Sequence, residues 1–172
     1  MGVLVKEFFS YVPNASMERY TKHFNVVGQA DSDACVATCV HMLLNDRGIQ
    51  DTPDGYPNSQ SVIRSILGDQ STGVLIASVP DCLAAYEVRS EFQNSVEIDL
   101  LLNLSQELPC LTSVSVGKDF HALLVDGFHH VEGRGTFVCI RDPLPVLMGS
   151  RYNVHVDTFT AVWTKRAVIL HR

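Results

Sequence analysis

The chain contains no long apolar run. Its apolar stretches are short and interrupted, well below the roughly 20 residues that a membrane-spanning helix needs, so no membrane partner is expected. A basic run is also missing: 13 Lys and Arg are scattered among 19 Asp and Glu, for a net charge of −6. Phosphate neutralisation requires clustered cations, so no nucleic-acid partner is expected. No C-x-x-C pair occurs, and the five cysteines at positions 35, 39, 82, 110 and 139 are odd in number and irregular in spacing. That argues against a disulfide framework and against a zinc site. No metal or other cofactor is expected. The opening residues carry Lys6 and Glu7 and lack the apolar stretch of a secretory signal. Repeats and low-complexity segments are absent. What remains, at 172 residues with 46% apolar and 19% charged types, suits one ordinary globular domain.

Periodicity divides this domain into two halves. Residues 1–28 carry irregularly spaced aromatics and read as an N-terminal arm. Asp31, Ser32 and Asp33 are good helix caps. After them Cys35, Cys39, Met42 and Leu43 recur at helical spacing, with Val36, Val40 and Leu44 widening the stripe. The pattern predicts a buried helix from about Asp33 to Arg47, closed by Gly48. Shorter helices are expected at Ser59–Leu67, Val79–Tyr86 and Val96–Leu104, ending at Pro109. Strands are expected at Cys110–Val116, Phe120–Phe128 and Thr136–Asp142, then a helical turn at Asp157–Trp163 and a last strand at Ala167–His171. Helices followed by an antiparallel sheet predict an α+β fold in two packed layers.

One cysteine stands apart. Cys35 follows the candidate caps at the start of the buried helix, where orphan N–H groups and the macrodipole favour a thiolate. A nucleophilic thiolate needs a base and donors for the oxyanion it generates. His121 opens a strand of the sheet half and can serve as the base. Gln29, six residues before Cys35, offers a side-chain amide beside the N–H of Cys35 itself. If the strands around 120–128 and 136–142 form a hairpin centred near Val131 and Glu132, His121 faces Asp142, which can hold the imidazole in its working tautomer. Cys39, Cys82, Cys110 and Cys139 read as packing residues, and His129 and His130 as solvated hairpin residues.

These segments resemble the bacteriocin-processing (double-glycine) branch of papain-like cysteine peptidases. The resemblance lies in Gln29-Ala-Asp-Ser-Asp-Ala-Cys35-Val-Ala-Thr-Cys39-Val-His-Met-Leu, in Pro109-Cys-Leu-Thr-Ser-Val, in His121-Ala-Leu-Leu-Val-Asp-Gly and in Arg141-Asp142-Pro143. It spans about residues 24–172, with Phe159 and Trp163 fitting the family's tail. Two departures are visible. Val36 stands where the branch often has Gly, and no ATP-binding transporter domain follows. The resemblance implies a papain-like catalytic domain over residues 29–172, with Cys35, His121, Asp142 and Gln29 as its catalytic set. It implies hydrolysis of a peptide bond in a protein substrate, after Gly-Gly, in a narrow cleft. Free-standing relatives include bacterial effectors and toxins, among them glutamine deamidases using the same triad. A toxic domain acting in the cytoplasm of a target cell, restrained by an inhibitor or immunity protein over its cleft, is therefore expected. A catalytically silent binding module is the non-enzymatic alternative.

Overall fold

A computed structural model describes residues 25–68 and 75–172. The arm expected over residues 1–28 falls, up to residue 24, outside the described residues. The described residues open with three helices: α1 at Cys35–Asp46, α2 at Gln60–Leu67 and, after a 3-10 turn at Ile76–Ser78, α3 at Val79–Ala85. Strand β1 (Ser90–Gln93) and helix α4 (Ile98–Glu107) follow. Then come β2 (Cys110–Val116), β3 (Asp119–Val131), β4 (Gly135–Asp142), β5 (Ser150–His155), α5 (Val156–Val162) and β6 (Trp163–Leu170). The six strands form one antiparallel sheet in the order β1-β6-β2-β3-β4-β5. The α+β class and the order of helical half and sheet half are as the periodicity indicated.

The sheet is covered on both faces, which adds a layer to the two expected. Alternate residues of a strand point to opposite sides. On β3, Ala122 and Leu124 join the core beneath α1, α2 and α3, built on Val40, Met42, Leu43, Ile63 and Leu83. Their neighbours Leu123 and Val125 join a second core with Leu101 and Leu102 of α4 and Phe159 of α5. Two elements were not anticipated. β1 is a four-residue segment, Ser-Glu-Phe-Gln, without alternation. β5 alternates Arg151, Asn153 and His155 with the buried Tyr152 and Val154, a strand period that is short but present in the sequence.

Helix α1 is the spine of the first core. Eight of its twelve residues are buried, among them Cys39, Val40, Met42 and Leu44. Its cap differs from expectation. The N-cap is Ala34, and no side chain caps the helix. Asp31 turns back on its own loop, its carboxylate accepting from the N–H of Asp33 at 2.9 Å. The first helical residue is therefore Cys35 itself. At the other end Gly48 takes a left-handed conformation (φ +69°) and its N–H donates to Asn45 O at 3.0 Å, the terminator its position predicted. Ser59, read from sequence as the first residue of a helix, instead caps α2, accepting from the N–H of Val62.

A buried ionic network locks α1 onto the sheet. The Arg141 guanidinium donates to both carboxylate oxygens of Asp126 on β3, at 2.6 and 2.8 Å, and to both of Asp46 at the end of α1, at 3.0 and 2.6 Å. It also donates to Asn25 O at 3.0 Å. Arg141 and Asp126 are fully buried. Each charge meets an opposite one in bidentate geometry, the arrangement in which desolvation is best compensated.

Candidate active site

The site lies where the N-terminus of α1 meets β3. Cys35 is the first residue of α1 and the only one of the five cysteines that is not buried. Its thiol exchanges a hydrogen bond with the His121 side chain, and the backbone N–H groups of Ala122 and Val36 also point at the sulfur. His121 Nε2 lies 2.6 Å from Asp142 Oδ1, which leaves Nδ1 for the thiol. Asp142 is buried and holds two further donors: the Leu144 N–H on Oδ1 at 2.9 Å, and the Tyr152 hydroxyl on Oδ2 at 2.7 Å.

The strand register explains how His121 and Asp142 meet, and it is not the one assumed from sequence. The hairpin turns around Gly133, pairing Val131 with Gly135 and His129 with Phe137. Past Phe128–Val138 the register shifts, so that Asp126 and Gly127 together oppose the single residue Cys139, and Val125 pairs with Ile140. Carrying that register on by one residue places Asp142 beside Leu123, not His121. Two positions separate Leu123 from His121, so the three share a face. Without the bulge Asp142 would stand beside Leu124 and point away from the imidazole. Gly127 makes the bulge possible: its φ of +119° is rarely adopted by L side chains, and a Cβ there would press on Gln106 Oε1 at 3.0 Å.

Electrostatics separate Cys35 from its neighbours. Burial alone would raise its pKa, but the hydrogen bond and charge of His121 and the two backbone N–H groups outweigh it, and the thiol is held below its ordinary 9.0. Burial likewise opposes the charged form of His121, yet Asp142 and Cys35 together raise its pKa from 6.5 to about 10. Both shifts favour a thiolate–imidazolium pair at neutral pH. Cys82 and Cys110 are pushed by burial up to about 12, and burial raises Cys39 as well. Those three behave as the packing residues their positions suggested. His130 is exposed as expected, whereas His129 is half-buried, stacked on Phe137 and 3.5 Å from Cys139 Sγ.

Gln29 is buried and lines the same cleft, a cavity of about 410 Å³ that also takes in Cys35, Val36, Leu75, Phe120, His121 and Leu144. Its Nε2 donates to Asp31 O at 2.6 Å, while its Oε1 is buried without a partner. The Gln29 backbone pairs with the loop that follows Asp142: its N–H donates to Pro143 O and its C=O accepts from the Leu147 N–H, both at 2.9 Å. The preceding residue has to be glycine, since a Cβ at Gly28 would lie 2.1 Å from Met148 N.

No sequence-family model matches the chain, and no curated protein is similar to it in sequence. Solved structures are. The peptidase domain of Streptococcus ComA, a bifunctional ABC transporter involved in a quorum-sensing pathway, superposes with a TM-score of 0.65 at 18% identity, over 86% of this chain and 98% of that one. A double-glycine-motif protease from an AMS/PCAT transporter, solved with its leader peptide, gives 0.63 at 15%, over 91% and 96%. A C39-like peptidase from Bacillus anthracis gives 0.65 at 13%, over 90% and 98%. The fold is that of a papain-like C39 peptidase domain.

Within this C39 fold, all four residues singled out in the sequence come together around one cleft. Sequence reasoning missed two residues that support them. Tyr152 sits on β5, whose alternating residues were not read as a strand, and only the pairing of β5 with β4 brings its hydroxyl to Asp142. Arg141 was read only as part of a motif with Asp142, although an arginine inside a strand that is otherwise apolar is itself a signal that buried carboxylates await it. Among the described residues no helix is long and apolar enough to cross a membrane.

Proposed function

We propose that the chain is a cysteine peptidase working through Cys35, His121 and Asp142. The observation that carries this reading is the single unburied thiol at a helix N-terminus, hydrogen-bonded to an imidazole whose far nitrogen rests 2.6 Å from a buried carboxylate. In this mechanism Cys35 Sγ attacks the scissile carbonyl carbon, forming a C–S bond and a tetrahedral oxyanion. Gln29 Nε2 and the N–H of Cys35 stabilise that oxyanion. The C–N bond then breaks as His121 gives its proton to the leaving amine, leaving a thioester. Water attacks the thioester, His121 takes its proton, and the acid departs as Sγ leaves as thiolate. Asp142 keeps Nε2 protonated and steadies the imidazolium.

The substrate in this reading is a protein cleaved after Gly-Gly, supported by the likeness to a double-glycine protease solved with a leader peptide. We also propose that the domain acts as an effector or toxin in the cytoplasm of a target cell, under a protein inhibitor covering the cleft; five free cysteines suit a reducing compartment. The test is a comparison of protein termini in a bacterial proteome treated with wild type and with Cys35→Ala. New termini after Gly-Gly, seen only with wild type, support the reading. A mass gain of about one dalton at a glutamine would replace it with deamidation, and no difference would leave a binding module. Growth arrest on cytoplasmic expression, relieved by Cys35→Ala and His121→Ala, supports the toxin role; normal growth at high expression of soluble protein would remove it for bacterial targets.

A further inference from the structure

We propose that Gln60 is a positioning residue for the oxyanion donor Gln29. The proposal rests on the peptidase reading and extends it to a residue outside the cleft. Gln60 is the first residue of α2. Its side-chain amide spans both peptide groups that flank Gln29. Nε2 donates to Gly28 O at 3.0 Å, and Oε1 accepts from the Ala30 N–H at 2.9 Å. The orientation of the amide is fixed by these partners, because a flip would set N–H against N–H and C=O against C=O. The hydroxyl of Thr38, a buried residue of α1 one turn beyond Cys35, lies 2.9 Å from Gln60 Oε1 and 2.7 Å from Ala34 O, its one proton shared between the two acceptors. One side chain therefore ties the loop that carries the oxyanion amide to the helix that carries the nucleophile.

The other side of Gln29 is held independently. Its own N–H and C=O pair with Pro143 and Leu147, and Gly28 leaves no space between the loops for a methyl group. Gln60 closes this frame from the α2 side. Catalytic donors act only when aimed where charge develops, and a misplacement of about 1 Å costs rate without preventing binding. Truncating Gln60 frees the Gly28 and Ala30 peptide groups and lets the Gln29 amide drift, while the Cys35–His121–Asp142 line keeps its own contacts.

Two small probes separate these effects without knowledge of the natural substrate. 4-Nitrophenyl acetate acetylates Cys35 through a tetrahedral oxyanion that expels 4-nitrophenolate. Iodoacetamide alkylates it by direct displacement of iodide and forms no oxyanion. Gln60→Ala is expected to slow acetylation by about tenfold, within the 10²–10³ that loss of an oxyanion donor costs, while leaving alkylation and its pH profile unchanged. Hydrogen exchange at the Ala30 amide should quicken. In a Gln29→Ala background the Gln60→Ala effect on acetylation should vanish, since the residue it aims is gone. Gln60→Glu keeps the acceptor towards Ala30 and loses the donor towards Gly28. It should show the same pattern at smaller size, and it serves if Gln60→Ala does not fold. Unchanged acetylation, an equal loss of alkylation, or the same loss in the Gln29→Ala background would overturn the proposal while leaving the peptidase reading standing. Wild-type Cys35 acetylated no faster than an unfolded thiol would overturn both.

Discussion

Arg141 and Asp142 are neighbours on β4 and point to opposite faces of the sheet, each into a buried charged cluster. Arg141 joins Asp126 and Asp46 through bidentate hydrogen bonds that tie two elements together. Asp142 joins His121 and, through it, Cys35, groups whose protons move. The first cluster fixes where α1 lies on the sheet. The second uses that placement, because the first residue of α1 is Cys35, the proposed nucleophile. One peptide bond thus separates a structural charge network from a reactive one, and what distinguishes them is that the second contains a thiol and an imidazole able to exchange a proton.

That contrast predicts different readouts for substitutions one residue apart. Cys35→Ala should have the largest effect, lowering kcat by about 10⁴–10⁶ with the melting temperature nearly unchanged, measured by peptide hydrolysis and calorimetry. Asp142→Asn should cost about 10⁴ in kcat and return the Cys35 alkylation profile towards that of an ordinary thiol, while far-ultraviolet circular dichroism stays native. Arg141→Met should act on stability instead. It strands a fully buried Asp126 carboxylate, and breaking a buried pair on one side costs about 3–5 kcal/mol, read as a lower urea midpoint. Activity per folded molecule should fall less than in Asp142→Asn; a larger fall would erase the division of labour between the two faces. Gln29→Ala should lower kcat by about 10²–10³ with little change in unfolding. The smallest effect is expected of Tyr152→Phe. It removes one hydrogen bond to Asp142, worth about 1 kcal/mol, and leaves more of the carboxylate's charge to act on His121, so the upper limb of the pH–rate profile should move to higher pH.

The pairing of Cys35 with His121 in one cleft was legible in the sequence because each depends on local pattern. An apolar stripe at helical spacing marked α1, and Cys35 was the only cysteine at its start. The cap was not legible: Asp31, Ser32 and Asp33 all have the right chemistry, but Asp31 spends its carboxylate on Asp33 N–H and Arg64, and Ala34 takes the position. The His121–Asp142 pair was reached through a register that the structure does not have. Its turn is centred on Gly133 rather than between Val131 and Glu132, a register offset of three that alone would have parted the two, and the bulge at Asp126-Gly127 restores their common face. A glycine inside an apolar strand hints at such a bulge, but its place in the ladder emerges only when both strands are paired. Gln60 carried no sequence signal, since its two hydrogen bonds to the Gln29 loop join residues 32 and 30 positions away.

The claim on which the account turns is that Cys35 and His121 rest as an ion pair. The rate of Cys35 alkylation by iodoacetamide, followed by mass spectrometry across pH, tests it most directly. Cys35 is held below 9.0 and His121 is raised to about 10. Thiolate therefore forms as pH rises through the depressed value, and the imidazolium beside it persists until about 10. The predicted profile is alkylation that sets in below the ordinary thiol range and levels off before pH 10, with any further rise only near 10 as His121 loses its proton. His121→Ala should convert it to a single rise in the ordinary thiol range. A wild-type profile that is already one rise centred near 9 would contradict the ion pair, and with it the mechanism.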